Sequence, residues 1–343
     1  MFLKSISLSV AILLAGQAQA ADPVKLKMGI VGAAADVVFW AGKERGYFQK
    51  EGIDLEFVKF DSGPRMMAPL GTGELDIVAA GHSAGFFNAV ARGVGMKIVA
   101  DKTQTLPGFG TQSLLVRRDH IESGRYKTLA DLKGMRFASP APGASAMTVL
   151  TKMLARGGLT MRDIDPVSMG LPQMATALTN KAIDAALPNE PGVTLAMRTG
   201  LVERVLEDYD VYPEHQIAVI FYSSQFMRDK KEAASGFLRA YLRGVRDYND
   251  ALVNGRLAGP KGDALVEVLT RNGPSTDPAF YRSFAFGFCH PDGKLHLPSL
   301  EEDLKIFRDE GLIEGNVTLA QAIDTSFIEA ALKQAGPYKP GAQ

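Results

Sequence analysis

Short apolar strands alternate with helices over residues 25–92, and this alternation restricts the fold more than any other feature of the chain. Residues 53–60 alternate apolar and polar side chains, which is typical of a strand. Residues 75–80 are predicted to form a short buried strand, followed by a helix over 83–92. Strands that alternate with helices pack as a sheet covered on both faces. The sequence therefore predicts an α/β fold.

The middle of the chain repeats the pattern of its first part. Residues 70–79 and 178–187 each combine a helix end, a short turn, an apolar residue, an aspartate and a buried strand. Asp76 and Asp184 hold the same place in the two segments, 108 residues apart (184 minus 76). Two similar lobes are the simplest account, with convergence on common αβ patterns as the alternative. We expect both aspartates to organise the start of a strand rather than to bind a ligand.

Two extended apolar segments flank the middle block, and the chain after them is mainly helical. Residues 111–117 and 217–222 are expected to be strands that cross between the lobes. Helices are predicted at residues 231–250, 262–271, 278–284, 299–310 and 319–333. In the first of these helices, four large side chains recur at helical spacing and are predicted to belong to the core: Phe237, Tyr241, Val245 and Tyr248.

The first twenty residues have the pattern of a secretory signal peptide. Lys4 gives a positive start, residues 6–15 are an apolar run, and Ala18 and Ala20 form an A-x-A cleavage site. The run is too short to span a bilayer, and no later run approaches the roughly 20 apolar residues that a membrane helix needs. We therefore expect an exported, periplasmic protein that is cleaved after Ala20.

Charge and cysteine content exclude several classes of partner and cofactor. The chain has 38 Lys and Arg against 38 Asp and Glu, so no general attraction to nucleic acid or to an anionic membrane is expected. The single cysteine, Cys289, excludes an internal disulfide, a multi-cysteine zinc site and an iron–sulfur cluster. We predict no metal site, no cofactor and no nucleic-acid partner.

Several motifs, taken in order, resemble one family of solute-binding proteins. Residues 42–48 (GKERGYF) and 51–56 (EGIDLE) are similar to the opening of that family. Further segments follow in the family's order at residues 70–80, 131–138, 158–159 and 190–191. The family is the nitrate, sulfonate, taurine and thiamine-pyrimidine-precursor type of periplasmic binding protein, which serves ABC importers.

The resemblance implies a two-lobed type II periplasmic binding protein fold with two crossover strands. The division that we predict is a signal peptide at 1–20, the first part of lobe I at 21–112, lobe II at 113–220, and the return of lobe I with the C-terminal helices at 221–343. Lobes of this kind close like a hinge on a small-molecule ligand. The implied partners are an inner-membrane ABC permease and its ATPase. We expect a monomer without catalytic turnover and a small organic ligand with a sulfonate or carboxylate group, aromatic molecules included.

The ligand is expected at loops that follow the carboxyl ends of strands. Residues 142–145 form a glycine-containing turn into a helix, whose amides and dipole would hold an anionic group together with the Ser145 hydroxyl. An ordinary serine cap of that helix is the alternative. Asn189 and Glu190 follow a buried strand and would hydrogen-bond an amine or amide. The predicted ligand-binding residues are Ala35, Asp36, Ser62, His82, Ser83, Ser113, Gly143, Ala144, Ser145, Asn189, Glu190 and Tyr222.

Other functions fit parts of the sequence. Residues 81–85 (GHSAG) match a G-x-S-x-G nucleophile elbow, for which His290 or His296 would supply the base of a secreted serine esterase. Against this, no HGGG-type segment precedes the motif, and about 60 mature residues upstream leave little room for the strands of a hydrolase. The family's thiamine-pyrimidine synthase branch uses clustered cysteines, which this chain lacks. A binding protein that serves a sensor has the same sequence features as one that serves a transporter.

Overall fold

The computed structural model describes residues 22–139 and 142–340, whose strands form two five-stranded sheets and one two-stranded hairpin. The predicted signal peptide, residues 1–20, lies outside the described residues, as do residues 140 and 141 next to the predicted ligand loop. Across the described ranges, every helix is too short or too polar to cross a membrane.

Helices and strands follow one another in three stretches of the chain. The first contains β1 (Val24–Ile30), α1 (Val37–Glu44), α2 (Tyr47–Lys50), β2 (Ile53–Lys59), α3 (Met67–Thr72), β3 (Ile77–Ala80), α4 (Ala84–Ala91) and β4 (Met96–Thr103). The second contains β5 (Ser113–Arg117), α5 (Arg118–Glu122), β6 (Arg136–Ser139), α6 (Ser145–Arg156), β7 (Asp165–Ser168), α7 (Leu171–Thr179), β8 (Ala185–Ala186), α8 (Gly192–Met197) and β9 (Val202–Glu207). The third contains β10 (Ala218–Ser223), α9 (Ser224–Asp229), α10 (Lys231–Asp250), β11 (Leu252–Val253), β12 (Arg256–Leu257), α11 (Gly259–Asn272), α12 (Pro278–Arg282), α13 (Leu297–Asp309), α14 (Leu319–Ala322) and α15 (Ser326–Ala335).

The two five-stranded sheets have the same topology. The strand order is β2-β1-β3-β10-β4 in the first sheet and β7-β6-β8-β5-β9 in the second. In each sheet the first three strands are parallel, and the fourth strand runs antiparallel to both of its neighbours. The predicted α/β fold with two similar lobes is confirmed, and we use lobe I for the part built on the first sheet and lobe II for the part built on the second.

Two connections join the sheets, and they lie beside the segments predicted for this role. The predicted crossover segments contain β5 and β10, but each of these strands belongs to a sheet. The chain passes between the sheets just before them, in residues 104–112 and 208–217. The predicted boundary between residues 220 and 221 falls inside β10, because this strand pairs with β3 and β4 on both sides of it.

The repeated aspartates hold equivalent places at the starts of β3 and β8. The backbone N–H of Lys27 on β1 donates to Asp76 Oδ2 at 2.9 Å. In lobe II the backbone N–H of Arg136 on β6 donates to Asp184 Oδ2 at 3.0 Å. Each carboxylate thus ties the start of its strand to the neighbouring parallel strand, which confirms the structural role predicted for both residues.

Apolar clusters cover both faces of each sheet. In lobe I one cluster includes α1 and α10, and the other includes α4 and α13. In lobe II one cluster includes α6, and the other includes α7 and α8. The four α10 side chains predicted to be core are all buried: Phe237, Tyr241, Val245 and Tyr248. Burial of each large apolar side chain stabilises the fold by about 1.5–3 kcal/mol.

Three of the differences between the structure and the predicted elements concern the edges of the sheets and the C-terminal helix. Strands β4 and β9 are absent from the sequence prediction, and both are edge strands of their sheets. The single helix predicted at 319–333 is two helices, α14 and α15, because Ile323 between them is extended (φ −114°, ψ 141°) and forms a β-bridge with Ile98 of β4.

Candidate functional site

A cavity lies between the two sheets, near the carboxyl ends of their parallel strands. It is lined by loops that follow β1, β2 and β3, by the end of β4, by the start of α6, by residues 189–190 and by parts of both connecting segments. Its volume, measured for the centres of water-sized molecules, is about 80 Å³, and one water needs about 10–15 Å³ by the same measure. The cavity therefore has room for a small molecule, in the position where α/β sheets bind ligands.

Half of the predicted ligand-binding residues line this cavity. They are Ala35, Ser62, Ala144, Ser145, Asn189 and Glu190. The structure adds four polar lining residues that the sequence prediction omitted: Lys102, Thr103, Thr111 and Gln112. That any of these residues contacts a ligand stays a prediction.

Lys102, which lines the cavity, forms an ion pair with Asp36 behind the cavity wall. Lys102 Nζ lies 2.6 Å from Asp36 Oδ1 and donates to the Ala79 carbonyl at 3.2 Å. Asp36 Oδ2 accepts hydrogen bonds from the backbone N–H groups of Gly32 (2.9 Å) and Ala33 (3.0 Å). Asp36 is fully buried and does not line the cavity. In this structure the Asp36 carboxylate is occupied by its own loop and by Lys102, and its contact with a ligand stays a prediction.

The start of α6 faces the cavity from lobe II. Ala144, Ser145 and Ala146 line the cavity there, and α6 is twelve residues long. Its first amides and its dipole favour an anionic or hydrogen-bond-accepting group at this position. The Ser145 hydroxyl donates to the Ile217 carbonyl at 2.9 Å. In this structure the Ser145 hydroxyl proton is therefore committed to Ile217, and donation from Ser145 to an anion stays a prediction.

Gly143 lies at a contact between the lobes. Its carbonyl accepts from the Ala84 N–H at 2.8 Å, and its own N–H donates to Met147 Sδ at 3.4 Å. Its φ is +73°, and a Cβ placed there would lie 2.8 Å from the Ala84 Cβ. Gly143 does not line the cavity. The structure therefore assigns the glycine to close approach of the two lobes instead of the predicted ligand contact.

Side-chain amides and a carboxylate form another polar part of the cavity wall. Gln112 Nε2 donates to Asn189 Oδ1 at 2.9 Å, and Gln112 Oε1 has no hydrogen-bond partner among the described residues. Glu190 accepts from the Thr194 backbone N–H and hydroxyl, both at 3.0 Å, and from Arg204 at 3.1 Å. Burial raises the pKa of Glu190 despite these donors, the Thr194 N–H being the strongest of them.

His82 belongs to a fully buried cluster that does not line the cavity. His82 Nε2 and His215 Nε2 each lie 2.7 Å from Asp303 Oδ2. Burial alone would raise the pKa of Asp303, but the charge and hydrogen bond of His215, with those of His82, hold that pKa below its ordinary value. The three residues are of types that bind metals, and their 2.7 Å spacing is that of direct hydrogen bonds. The His82 ring is committed to Asp303 in this structure, and its contact with a ligand stays a prediction.

Ser83 caps a helix, and the geometry of an esterase nucleophile is not formed around it. Ser83 Oγ accepts from the Phe86 backbone N–H at 3.1 Å at the start of α4, and the residue is almost fully buried. The proposed bases have other contacts: His290 Nδ1 accepts from the Asp292 N–H, and His296 lies 4.0 Å from a carboxylate oxygen of Glu214. Within the described part of the chain, no histidine is hydrogen-bonded to the Ser83 hydroxyl.

Ser113 and Tyr222 also lie outside the cavity lining. The Ser113 hydroxyl donates to Glu207 at 2.7 Å and lines a neighbouring polar pocket that shares Glu190 with the cavity. Tyr222 is fully buried, and its hydroxyl donates to the Ala234 carbonyl at 2.8 Å. The structure thus places Tyr222 in the core against α10 and Ser113 beside the cavity, and a ligand contact of either residue stays a prediction.

Comparison with known proteins places the fold among solute-binding proteins. A Brucella abortus (strain 2308) protein that carries the provisional name of binding protein is 25% identical over 255 residues, covering 72% of this chain and 73% of its own. The periplasmic nitrate-binding protein NrtA from Synechocystis PCC 6803 superposes with a TM-score of 0.73 at 14% identity, covering 92% of this chain and 90% of that one. The alkanesulfonate-binding protein SsuA from Xanthomonas axonopodis pv. citri, bound to MOPS, superposes with a TM-score of 0.67 at 20% identity, covering 89% and 99%.

A family model identifies the group to which the chain belongs. The model described as the NMT1-like family matches residues 19–253. This range includes all of lobe II, every strand of lobe I and all the loops that form the cavity except Gly287. The protein is a member of the NMT1-like family.

Proposed function

We propose that the protein is the exported solute-binding component of an ABC importer, and that it captures a small organic molecule bearing a sulfonate or carboxylate group. The family and the fold support capture of a solute, since the similar structures include proteins named for binding nitrate and alkanesulfonate. In this proposal the mature chain begins after Ala20 in the periplasm, and its partners are an inner-membrane permease and an ATPase.

One observation carries the proposal: the start of α6 opens on the cavity without an acidic side chain of its own. At the start of α1 in lobe I, the Asp36 carboxylate accepts hydrogen bonds from the loop amides of Gly32 and Ala33, so an anionic side chain already lies beside that helix start. Ala144 holds the corresponding place before α6. The Ser145 N–H donates to the His82 carbonyl and the Met147 N–H to the Ala144 carbonyl, so the Ala146 N–H and the dipole of α6 are what this helix start offers to an anionic group of a ligand.

Lobe closure would complete the site. The cavity is bounded by both sheets and by both connecting segments, so a rotation of one lobe against the other changes its width. Binding of a solute to both walls would favour the closed arrangement in proportion to its preference for that state. The permease would then recognise the closed form.

The test is to secrete the full chain from a bacterial host and to measure the mass of the periplasmic product and of any small molecule released on denaturation. We expect a mass that begins at Ala21 and a released organic acid that raises the thermal unfolding midpoint when added back, because ligand stabilises the folded state by RT ln(1 + [L]/Kd). An uncleaved product in the cytoplasm, or the absence of any midpoint shift with a panel of sulfonates, carboxylates and nitrate, would contradict the proposal.

A further inference from the structure

Helix α13 contacts both lobes. Leu304 and Phe307 on this helix belong to the apolar cluster that also covers α4 in lobe I. Met147 of α6, in lobe II, is part of the same cluster and is 5% exposed. On the surface beside it, Glu302 of α13 lies 2.6 Å from Lys152 Nζ on α6. The helix therefore crosses the boundary between the lobes.

Asp303 fastens the middle of α13 to two other parts of the chain. It is fully buried, and its Oδ2 lies 2.7 Å from His82 Nε2 and 2.7 Å from His215 Nε2. His82 belongs to the loop that follows β3 in lobe I, and His215 belongs to the second connecting segment. A buried carboxylate is stable only where it is paired and hydrogen-bonded, so these two rings fix the position of α13.

Further hydrogen bonds join the same parts of the molecule. The Ser299 carbonyl on α13 accepts from the Tyr212 hydroxyl at 3.1 Å, and Ser299 Oγ accepts from the Gln216 N–H at 2.9 Å. The His82 carbonyl accepts from the Ser145 N–H at 3.0 Å, which ties the lobe I loop to the start of α6. Separation of the lobes at α6 would break buried bonds of this set and leave their polar groups unpaired.

The contact between α8 and α12 is of a different kind. These helices cover the faces of their sheets that α6 and α13 leave free. Arg198 at the end of α8 lies 3.4 Å from Asp277 at the start of α12 and 4.6 Å from the centre of the Phe280 ring. The two charged side chains are 47% and 50% exposed, so water solvates both when the pair separates. This contact is therefore the easier of the two to open.

We propose that α13 is a strap that holds the lobes together at α6, so that they separate at α8 and α12, and that Asp303 is the positioning residue that anchors the strap. Such a motion is a hinge whose fixed side is α13 and whose moving side is the α8–α12 contact. It would admit a solute to the cavity from the α8–α12 side, whatever the chemistry of that solute. Helix α13 lies beyond residues 19–253, which the family model matches.

The test measures the separation of the lobes on both sides of the cavity. The full-length, secreted protein is denatured, dialysed free of small molecules and refolded, and pairs of spin labels are read by electron paramagnetic resonance. One pair, Ala155→Cys with Glu301→Cys, spans α6 and α13, and the other, Leu195→Cys with Ala279→Cys, spans α8 and α12; all four residues are exposed. Cys289, the single cysteine of the chain, is 1% exposed, so the labels attach to the introduced residues. We expect one narrow distance for the first pair and a broad range for the second.

Asp303→Asn removes the charge of the anchor with little change in size. It should raise the fraction of molecules in which the first pair is separated about tenfold, because a buried pair is broken. Glu302→Ala removes only the surface pair with Lys152 and should raise that fraction about two- to fivefold. Asp309→Ala is the matched control, because Asp309 pairs with Lys305 on the same helix, and it should leave the distances unchanged.

A broad range of distances for the first pair in the protein with an intact strap would overturn the proposal, and so would a second pair that keeps one narrow distance. Unchanged first-pair distances in folded Asp303→Asn would show that α13 does not hold the lobes. Should Asp303→Asn fail to fold, Glu302→Ala decides the matter by the same criterion against Asp309→Ala. The identity of the captured solute is tested separately, by the compound released on denaturation, so failure of the strap leaves the proposed function standing.

Discussion

The two lobes share a topology, but their first helices begin differently. Helix α1 follows β1 and α6 follows β6, and residue 36 corresponds to residue 144 at the spacing of the repeat, 108 residues (144 minus 36). Lobe I has Asp36 there, which accepts from two loop amides and pairs with Lys102. Lobe II has Ala144. The difference supports the proposal made above: an acidic side chain lies beside the first helix start, and the second has none of its own.

The equivalence of the lobes extends to buried carboxylates. Asp76 and Asp184 begin β3 and β8, and Asp101 and Asp208, 107 residues apart (208 minus 101), lie at the ends of β4 and β9 where the chain leaves each sheet. The surroundings of the first pair differ between the lobes. Asp184 contacts three basic side chains, whereas Asp76 forms an ion pair with Lys230 alone among the described residues. The repeat therefore preserves the positions of these aspartates but not the number of basic side chains that contact them.

The largest effect is expected from removal of Asp184. Burial alone would raise the pKa of this residue, but hydrogen bonds from Arg136 and His120 hold it below its ordinary value. Asp184→Ala would leave His120 without its carboxylate partner and would remove the acceptor of Arg117 Nη1, while Arg117 keeps its two hydrogen bonds to Asp119. We expect a loss of about 3–5 kcal/mol in the free energy of unfolding, measured by urea denaturation.

Asp76→Ala is the matched substitution in lobe I. Its partner Lys230 is 38% exposed and can be solvated when the carboxylate is removed. The expected loss is about 1–2 kcal/mol, from one backbone hydrogen bond and a partly screened ion pair. Equal losses in the free energy of unfolding for the two variants would mean that the extra basic side chains around Asp184 add no stability. This result would contradict the difference expected between the lobes.

Ala144→Asp gives lobe II the acid that lobe I has. The new carboxylate would sit at the N-cap of α6 and accept from its first amides, as Asp36 does from its own loop. We expect binding of the released organic acid to weaken at least a hundredfold, while the free energy of unfolding stays the same or rises. Calorimetry and urea denaturation measure the two quantities.

The control for this variant is Ala258→Asp, which places the same acid at the exposed N-cap of α11, outside the cavity. It should leave binding unchanged. If Ala144→Asp binds as tightly as wild type, the start of α6 is not where the anionic group of the ligand lies, and the contrast between the two helix starts has no functional meaning.

The pH dependence of stability tests whether Asp101 and Asp208 are equivalent. Burial raises the pKa of each to about 7, despite hydrogen bonds from Gln216 and the His290 N–H to Asp101 and from Thr111 and the Gln112 N–H to Asp208. The folded state therefore holds each proton more tightly than the unfolded chain does. The free energy of unfolding should fall as the pH rises from about 4, where the unfolded carboxyls titrate, to about 7, where the folded ones do. Each residue accounts for about 4 kcal/mol over that window, at 1.36 kcal/mol per pKa unit.

Asp101→Asn and Asp208→Asn remove one titration each, and urea denaturation at pH 5, 6 and 7 would follow the change. The difference between variant and wild type isolates the substituted residue from other groups that titrate in this range, such as His290, whose pKa burial lowers. We expect both variants to reduce, by similar amounts, the fall in the free energy of unfolding as the pH rises. If only one variant changes the pH dependence of the free energy of unfolding, the two lobes are not equivalent at the ends of β4 and β9.

The sequence predicts the fold well because the strands that build each parallel core alternate or are short and apolar, as in residues 53–60 and 75–80. It does not predict β4, because Asp101 and Lys102 interrupt an apolar run and resemble the start of a loop. Because β4 is not predicted, Lys102 is not recognised as a cavity residue or as the partner of Asp36, which lies 66 residues earlier in the chain. Gln112 is missed for a similar reason: its unused oxygen is defined by the position of Asn189, which only the fold brings to it.

The smallest expected effect is on stability, from substitutions of the residues that cap equivalent helices. For Ser83 the structure indicates a capping role in place of the ligand contact predicted from the sequence. At the repeat spacing Ser83 before α4 corresponds to Pro191 before α8, and in lobe II the third amide of the helix, that of Thr194, is bonded by Glu190 instead. Because the Ser83 hydroxyl only caps α4, Ser83→Ala should lower the free energy of unfolding by about 1 kcal/mol. Ligand binding should be unchanged.

Ser223→Ala is the control, because Ser223 caps α9 with the same 3.1 Å bond from the Phe226 N–H. The two variants should lose similar stability, and neither should alter the background hydrolysis of p-nitrophenyl acetate. Weaker ligand binding in Ser83→Ala alone would mean that Ser83 contacts the ligand. Hydrolysis that disappears with Ser83 alone would instead restore the esterase interpretation, since a residue that serves only as a helix cap has no means of supporting turnover.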